Sequence, residues 1–197
     1  MFTGIIQNVG SINKISNGLY EIKTSLDLKS CKDGSSISCN GVCLTAKNLK
    51  KNDNEFYSFE VNIGEETLKR TNLENCISRK SKINIEKSLS IGDEVGGHFV
   101  YGHVDNVSTI DKIINLENSW EFHFKKDFGI NNKFIVEKGS ISINGISLTI
   151  AKVKDNSFIV SVIEHTFNNT NLKYSSNGDY INIEFDYLAR FIVKNNE

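Results

Sequence analysis

Proline is absent from this 197-residue sequence. Turns must therefore be built from Gly, Asn, Asp and Ser, which supply positive φ or a local side-chain hydrogen bond. Charge of one sign is also lacking: the formal net charge is -1 and the pI about 6.4. That excludes the basic footprint of a nucleic-acid-binding protein, and the interspersed Lys and Glu read as a solvated mixed-charge surface. An oligonucleotide-binding barrel would cluster basic and stacking aromatic side chains, and no stretch does so. No apolar run reaches the roughly 18 residues of a membrane span. The N-terminus lacks the basic-then-apolar pattern of a secretory leader, so the expected location is cytoplasmic. Cys31, Cys39, Cys43 and Cys76 form no Cys-x-x-Cys pair. Neither a disulfide framework nor a zinc knuckle is indicated; reduced thiols and no bound metal are expected. His98 and His103 show no recognised metal-ligand spacing with a thiol.

What the chain does have is a repeat. MFTGIIQNVGS from Met1 returns as FVYGHVDNVST from Phe99, and NGVCLT from Asn40 as NGISLT from Asn144. ETLKRTNL from Glu66 returns as HTFNNTNL from His165, and INIE from Ile83 as INIE from Ile181. The offsets are 98, 104, 99 and 98 residues, so order is kept and only loop lengths drift. Solenoid units are much shorter, about 20–50 residues. A period near 98 is the length of a small domain able to bury its own core. The pattern predicts two similar domains in tandem, with the seam in the Gly- and Asp-containing stretch 90–97.

Both halves read as β structure. Residues 36–46, 56–63 and 83–87 have strand character in the first copy, as do 120–125, 140–153, 158–163 and 180–185 in the second. WEFHFK alternates apolar and polar as a half-buried strand does, and Asp155, Asn156 and Ser157 suit a hairpin turn. The Asn-Gly pairs at Asn40 and Asn144 fit either a type I′ turn or a close approach of something to the glycine backbone. Helix is expected only near 65–69 and over 187–194, where Leu188, Phe191 and Ile192 share one face. Short strands with frequent turns suggest a small barrel or sandwich, twice over.

The N-terminal MFTGII, NGVCLT, ETLKRTNL, GGHFVYGHVD, NGISLT and INIEFDYLAR together resemble the riboflavin synthase alpha-chain family, over essentially the whole chain. The resemblance implies an all-β fold of two six-stranded Greek-key barrels, 1–97 and 98–186, followed by a short C-terminal helix or tail, 187–197, that holds a homotrimer. It implies a cofactor-free reaction in which one 6,7-dimethyl-8-ribityllumazine gives four carbons to another, yielding riboflavin and 5-amino-6-(ribitylamino)uracil. Association with lumazine synthase is a further implied partnership. Two copies of one binding domain suit such a reaction, because two identical molecules must be held face to face in different roles.

By the same resemblance, His103, Cys43, Ser147, Asp186 and Ser36 are the candidate catalytic residues. The candidate substrate contacts are Phe2, Gly4, Ile5, Ile6, Cys43, Leu44, Thr45, Asn62, Ile63, Gly64, Glu65, Glu66 and Thr67 in the first copy. In the second they are Gly102, His103, Val104, Lys138, Ser147, Leu148, Thr149, Ser161, Val162, Ile163, Glu164, His165 and Thr166. A near-neutral His103 imidazole suits removal of an acidic methyl proton. Asp186 could equally cap the tail helix, Cys43 could be an ordinary buried thiol, and Phe2 could plug a barrel end. Glu164 stands where the family usually has proline. The divergent repeat positions are chemical ones: Ile5 against His103, and Cys43 against Ser147. Lumazine-binding fluorescent accessory proteins, which hold a chromophore and do no chemistry, are the alternative reading.

Overall fold

In a computed structural model the described residues are 1–52 and 56–194; positions 195–197 of the expected tail lie outside them. The first half contributes β1 (Asn8–Ser16), β2 (Leu19–Thr24), β3 (Ser36–Cys39), β4 (Val42–Thr45), β5 (Lys47–Asn52) and β6 (Phe56–Asn62). Helices α1 (Glu65–Arg70) and α2 (Leu73–Arg79) precede β7 (Lys82–Lys87). The second half contributes β8 (Asn106–Asn115), β9 (Ser119–Lys125), β10 (Ser140–Ile143), β11 (Ile146–Val153), β12 (Ser157–Ile163), α3 (Glu164–Asn169) and β13 (Tyr180–Phe185). Helix α4 (Tyr187–Lys194) follows. The second barrel closes in the order β10-β11-β12-β9-β8-β13. The first has the order β4-β3-β7-β1-β2-β6-β5. Since β4 runs into β5 through buried Ala46, its two ends are one bent strand and the barrel has six.

Several elements were not evident from the sequence. Strand β1 buries only Gly10 and Ile12, too few to stand out as an apolar alternation. Strands β2, β5 and β8 and helices α2 and α3 likewise lie outside the expected elements. The expected strands 36–46 and 140–153 are each broken at their Asn-Gly pair. Asn40 and Gly41 have φ of 54° and 80°, Asn144 and Gly145 of 48° and 83°, the signature of a type I′ hairpin turn. Close approach is equally real: a Cβ on Gly41 would lie 2.6 Å from the Gly145 amide nitrogen. Both readings of the pair hold at once.

Those two hairpins meet where the barrels meet, and six asparagines surround them. Asn40, Asn72, Asn84, Asn144, Asn171 and Asn182 are all under 8% exposed. The Asn72 amide donates to Asn182 Oδ1 at 2.7 Å, and its repeat counterpart Asn171 donates to Asn84 Oδ1 at 2.7 Å. Asn84 Nδ2 donates to the Asn144 carbonyl at 2.9 Å, and Asn182 Nδ2 to the Asn40 carbonyl at 2.8 Å. The bonds are reciprocal, as a pseudo-two-fold requires.

The lead into each barrel crosses to the other. Ile6 packs on the second core and Val104 on the first. The chain then returns home: the Gln7 amide bonds the Ile85 carbonyl at 3.1 Å, and the Asp105 amide the Ile183 carbonyl at 2.8 Å. Phe2 is fully buried and its backbone bridges Val100.

Replacing Asn182 by Ala strands the Asn72 amide and the Asn40 carbonyl. Urea unfolding should show a loss of roughly 1–3 kcal/mol per stranded group, whereas substitution of exposed Asn17 should cost almost nothing.

Candidate active site

Strand periodicity decides which side chains reach the surface. Along β4, Val42 and Leu44 are buried while Cys43 and Thr45 alternate outward; along β11, Ile146 and Leu148 are buried while Ser147 and Thr149 face out. These polar residues therefore lie on the outer barrel wall, not inside it. A cleft is nevertheless built there, because α1 and the crossing segment rise over the wall. It has a volume of about 590 Å³ and is lined by Cys43, Leu44, Thr45, Asn62, Glu66, Thr67, Gly102, His103 and Val104 among the expected residues. Val42, Lys47, Arg70 and Thr71 complete it and were not expected. The size suits a bicyclic small molecule.

The floor of this cleft comes from one half and a wall from the other. The Cys43 amide donates to the Gly102 carbonyl at 2.9 Å, and the Ser147 amide to the Gly4 carbonyl at 2.8 Å. A Cβ on Gly102 would lie 2.6 Å from Cys43 Cβ, and one on Gly4 at 2.6 Å from Ser147 Cβ. With φ of +79° and +75°, both positions call for glycine on conformational grounds as well. A second cleft of about 460 Å³ holds Ile6, His165 and Asn169, the repeat counterparts of Val104, Glu66 and Arg70.

The expected catalytic residues divide into two groups. His103 and Cys43 share the first cleft. Ser147 lies on the second barrel, where its Oγ is 2.7 Å from His98 Nδ1. Burial pushes the His98 pKa down, and the nearby Asp186 carboxylate partly offsets this. A neutral imidazole at that distance can take a hydroxyl or water proton. The sequence offers no catalytic role for His98. It precedes the repeat frame, one position before the counterpart of Met1, so comparing the two copies could not reveal it; its place in GGHFVYGHVD was the available signal. Asp186 also caps α4, accepting from the Leu188 amide at 3.0 Å.

The other expected residues sit as follows. Ser36 faces Thr45 across the β3–β4 ladder, outside the cleft lining, and its carbonyl accepts from the Ser88 hydroxyl. Ile63 and Val162 are buried in their barrels. Gly64 is the N-cap of α1 and Glu65 its first residue, and Ile5, Ser161, Ile163, Glu164 and His165 are exposed. Thr166 lies within α3. Lys138 is exposed at a left-handed turn (φ 65°) before β10. Among the described residues no three His, Cys, Asp or Glu side chains group to hold a metal ion, and all four thiols are unpaired.

Two buried glutamates underlie the clefts. Burial pushes the Glu86 carboxyl up to about 7, against the pull of the Thr3 and Gly4 donors. It pushes Glu184 up to about 6, against the Tyr101, Gly102 and His103 amides. Each binds its proton more tightly folded than unfolded, so the stability it contributes is full below its ordinary value of 4.5 and is lost as pH rises through 6 to 7. The urea midpoint should therefore fall between about pH 5 and pH 8, and Glu86→Gln should flatten the upper part of that fall.

The two barrels are two copies of one domain class: the Lumazine binding domain family matches residues 3–88 and again 101–186. The chain is similar over its full length to curated riboflavin synthases. It is 37% identical to that of Brucella abortus, covering 98% of this chain and 97% of the relative. It is 37% identical to that of Bacillus subtilis, covering 100% and 92%, and 40% identical to that of Chlamydia muridarum, covering 98% and 93%. Among solved structures, LumP complexed with riboflavin superimposes with a TM-score of 0.77 at 24% identity, covering 94% of this chain and 99% of that one. LumP complexed with 6,7-dimethyl-8-(1'-D-ribityl) lumazine gives 0.75 at 24% over the same shares. The chain belongs to the riboflavin synthase family.

Proposed function

We propose that this chain is a transferase that converts two molecules of 6,7-dimethyl-8-ribityllumazine into riboflavin and 5-amino-6-(ribitylamino)uracil. The observation that carries this is the crossed first cleft, in which Cys43 and Thr45 of one half meet His103 of the other, together with the matching contact of Gly4 on Ser147. One bound molecule gives up the four carbons of its dimethylpyrazine edge to the other, so the atoms of the two substrates are those of the two products. No external oxidant is required. Holding both reactants together removes much of the entropic barrier, up to about 7–11 kcal/mol in favourable cases.

In this reading His103 and Cys43 attend one substrate, and His98, Ser147 and Asp186 the other. His98 takes or returns a proton through the Ser147 hydroxyl, and the exposed His103 imidazole serves a methyl group of its substrate. Thr45 and Thr149 offer hydroxyls to the ring edge, while Asn62, Glu66 and Arg70 suit a ribityl chain. Domain limits of 1–97 and 98–186, a cytoplasmic location, a homotrimer and association with lumazine synthase belong to the same proposal. The trimer is supported by the apolar face of α4, where Leu188 and Phe191 are 67% and 60% exposed. No helix among the described residues is long and apolar enough to cross a membrane.

Purified protein incubated with the lumazine and a chelator should yield one riboflavin per two lumazines, followed by absorbance. Lumazine bound without turnover would instead support the carrier reading. His103→Ala and Ser147→Ala should each lower turnover by about 100-fold or more with little change in urea midpoint. Phe191→Asp should leave the monomer folded but shift sedimentation toward smaller species.

A further inference from the structure

The last strand of each barrel carries a glutamate in INIE that the reaction chemistry leaves unused. We infer that Glu184 and Glu86 are positioning residues that act across the pseudo-two-fold, each fixing the segment that crosses onto the outer wall of the opposite barrel; for Glu184 that wall is the first cleft's.

Glu184 lies on β13 and is 2% exposed. Its carboxylate accepts from the successive amides of Tyr101, Gly102 and His103 at 2.7, 2.8 and 3.0 Å. These amides belong to the segment that leaves the second barrel and lies on the first. From there the Gly102 carbonyl accepts from the Cys43 amide at 2.9 Å, and Val104 enters the first core. A chain of bonds thus runs from a carboxylate of the second barrel, through three residues that include His103, to Cys43 of the first. Glu86 on β7 repeats the pattern. It accepts from the Thr3 amide and hydroxyl at 2.8 and 3.1 Å and from the Gly4 amide at 3.2 Å. The Gly4 carbonyl in turn accepts from the Ser147 amide at 2.8 Å.

A carboxylate suits this task because it is acceptor-only and offers several lone pairs to parallel donors. A carboxamide would turn an NH₂ group toward them. Backbone clamping is also the means available at the closest point, since Gly102 and Gly4 have no room for a Cβ. The separation of His103 from Cys43 is consequently set from the barrel that does not contain the cleft. The catalytic consequence rests on the synthase reading above; the geometric one does not.

The test compares Glu184→Gln with Glu86→Gln in the full-length protein in its native assembly. Iodoacetamide labelling of Cys43, mapped by mass spectrometry, reports the first cleft wall, and buried Cys39 and Cys76 report global opening. Glu184→Gln should raise Cys43 labelling by about tenfold, the factor of one lost charge-assisted hydrogen bond. Cys39 and Cys76 should stay protected, and kcat should fall more than KM rises. Glu86→Gln should leave Cys43 at the wild-type rate. Glu184→Asp, with its carboxylate kept but withdrawn by one methylene, should be intermediate.

Unchanged Cys43 labelling in Glu184→Gln would overturn the inference, as would an equal rise in Glu86→Gln or a parallel opening of Cys39 and Cys76. Faster labelling with wild-type kcat and KM would overturn the positioning role. If the wild type makes no riboflavin, the synthase reading fails separately. The labelling still judges the clamp, and affinity for riboflavin takes the place of the rates.

Discussion

Two hairpin turns pressed against each other leave polar backbone with no water and no room for side chains. Gly41 and Gly145 approach so closely that a Cβ on Gly41 would fall 2.6 Å from the Gly145 nitrogen. Every amide and carbonyl there needs a partner, because an unpaired buried polar group costs as much as a lost hydrogen bond. The six asparagines supply those partners, and most of their bonds run from one barrel to the other. Once the hairpins are locked, strands β4 and β11, which leave them, have fixed places. The crossing segments then have only the outer faces of those strands to lie on, and the clefts follow.

This order of causes explains how one architecture makes two similar crossed walls of different chemistry. The contacts that set position are backbone bonds, Cys43 to Gly102 and Ser147 to Gly4, and they are indifferent to the side chain that follows. Thiol and hydroxyl can therefore exchange at that place without moving the wall. At the mouth, the Glu66–Arg70 ion pair of α1 has His165 and Asn169 as its counterparts on α3. A reaction between two copies of one molecule needs this combination: equal shape for binding and unequal groups for the roles of donor and acceptor. The placement of His98 adds to the inequality, since its ring nitrogen lies 2.7 Å from the Ser147 hydroxyl, a partner that Cys43 does not share.

Much of this was legible in the chain, and the limits have physical reasons. The blocks NGVCLT/NGISLT, TNL and INIE repeat because they carry the lock, so the duplication was visible while its purpose was not. An asparagine beside glycine signals a turn, and nothing local says that its side chain will be buried against a distant copy. Cys43, Thr45, His103, Asn62, Glu66 and Thr67 were named together and meet in one cleft. The exchange of residues 2–6 and 102–104 between the copies has no local signal, because it depends on tertiary packing. Arg70 and Lys47 look like solvated surface charges until the cleft is seen. Strands β1 and β8 were missed because a barrel wall with few inward side chains has a weak period-two signal.

Polar matter at the centre of the molecule also bears on why the two halves dock in one way. An apolar seam of the same area would tolerate a slip of one residue with modest loss, since dispersion and burial have little directionality. The asparagine lock does not. Asn72 and Asn171 each combine an amide and a side-chain donor with partners on the opposite barrel. A slip would therefore strand several groups at once, and a half-satisfied polar network is worse than none. The clefts need this strictness more than stability does. A reacting pair is held productively only when its walls are set to within a fraction of an ångström, and those walls are borrowed across the seam. A two-fold fixed by hydrogen-bond geometry keeps Gly102 over Cys43 and Gly4 over Ser147 by the same set of bonds.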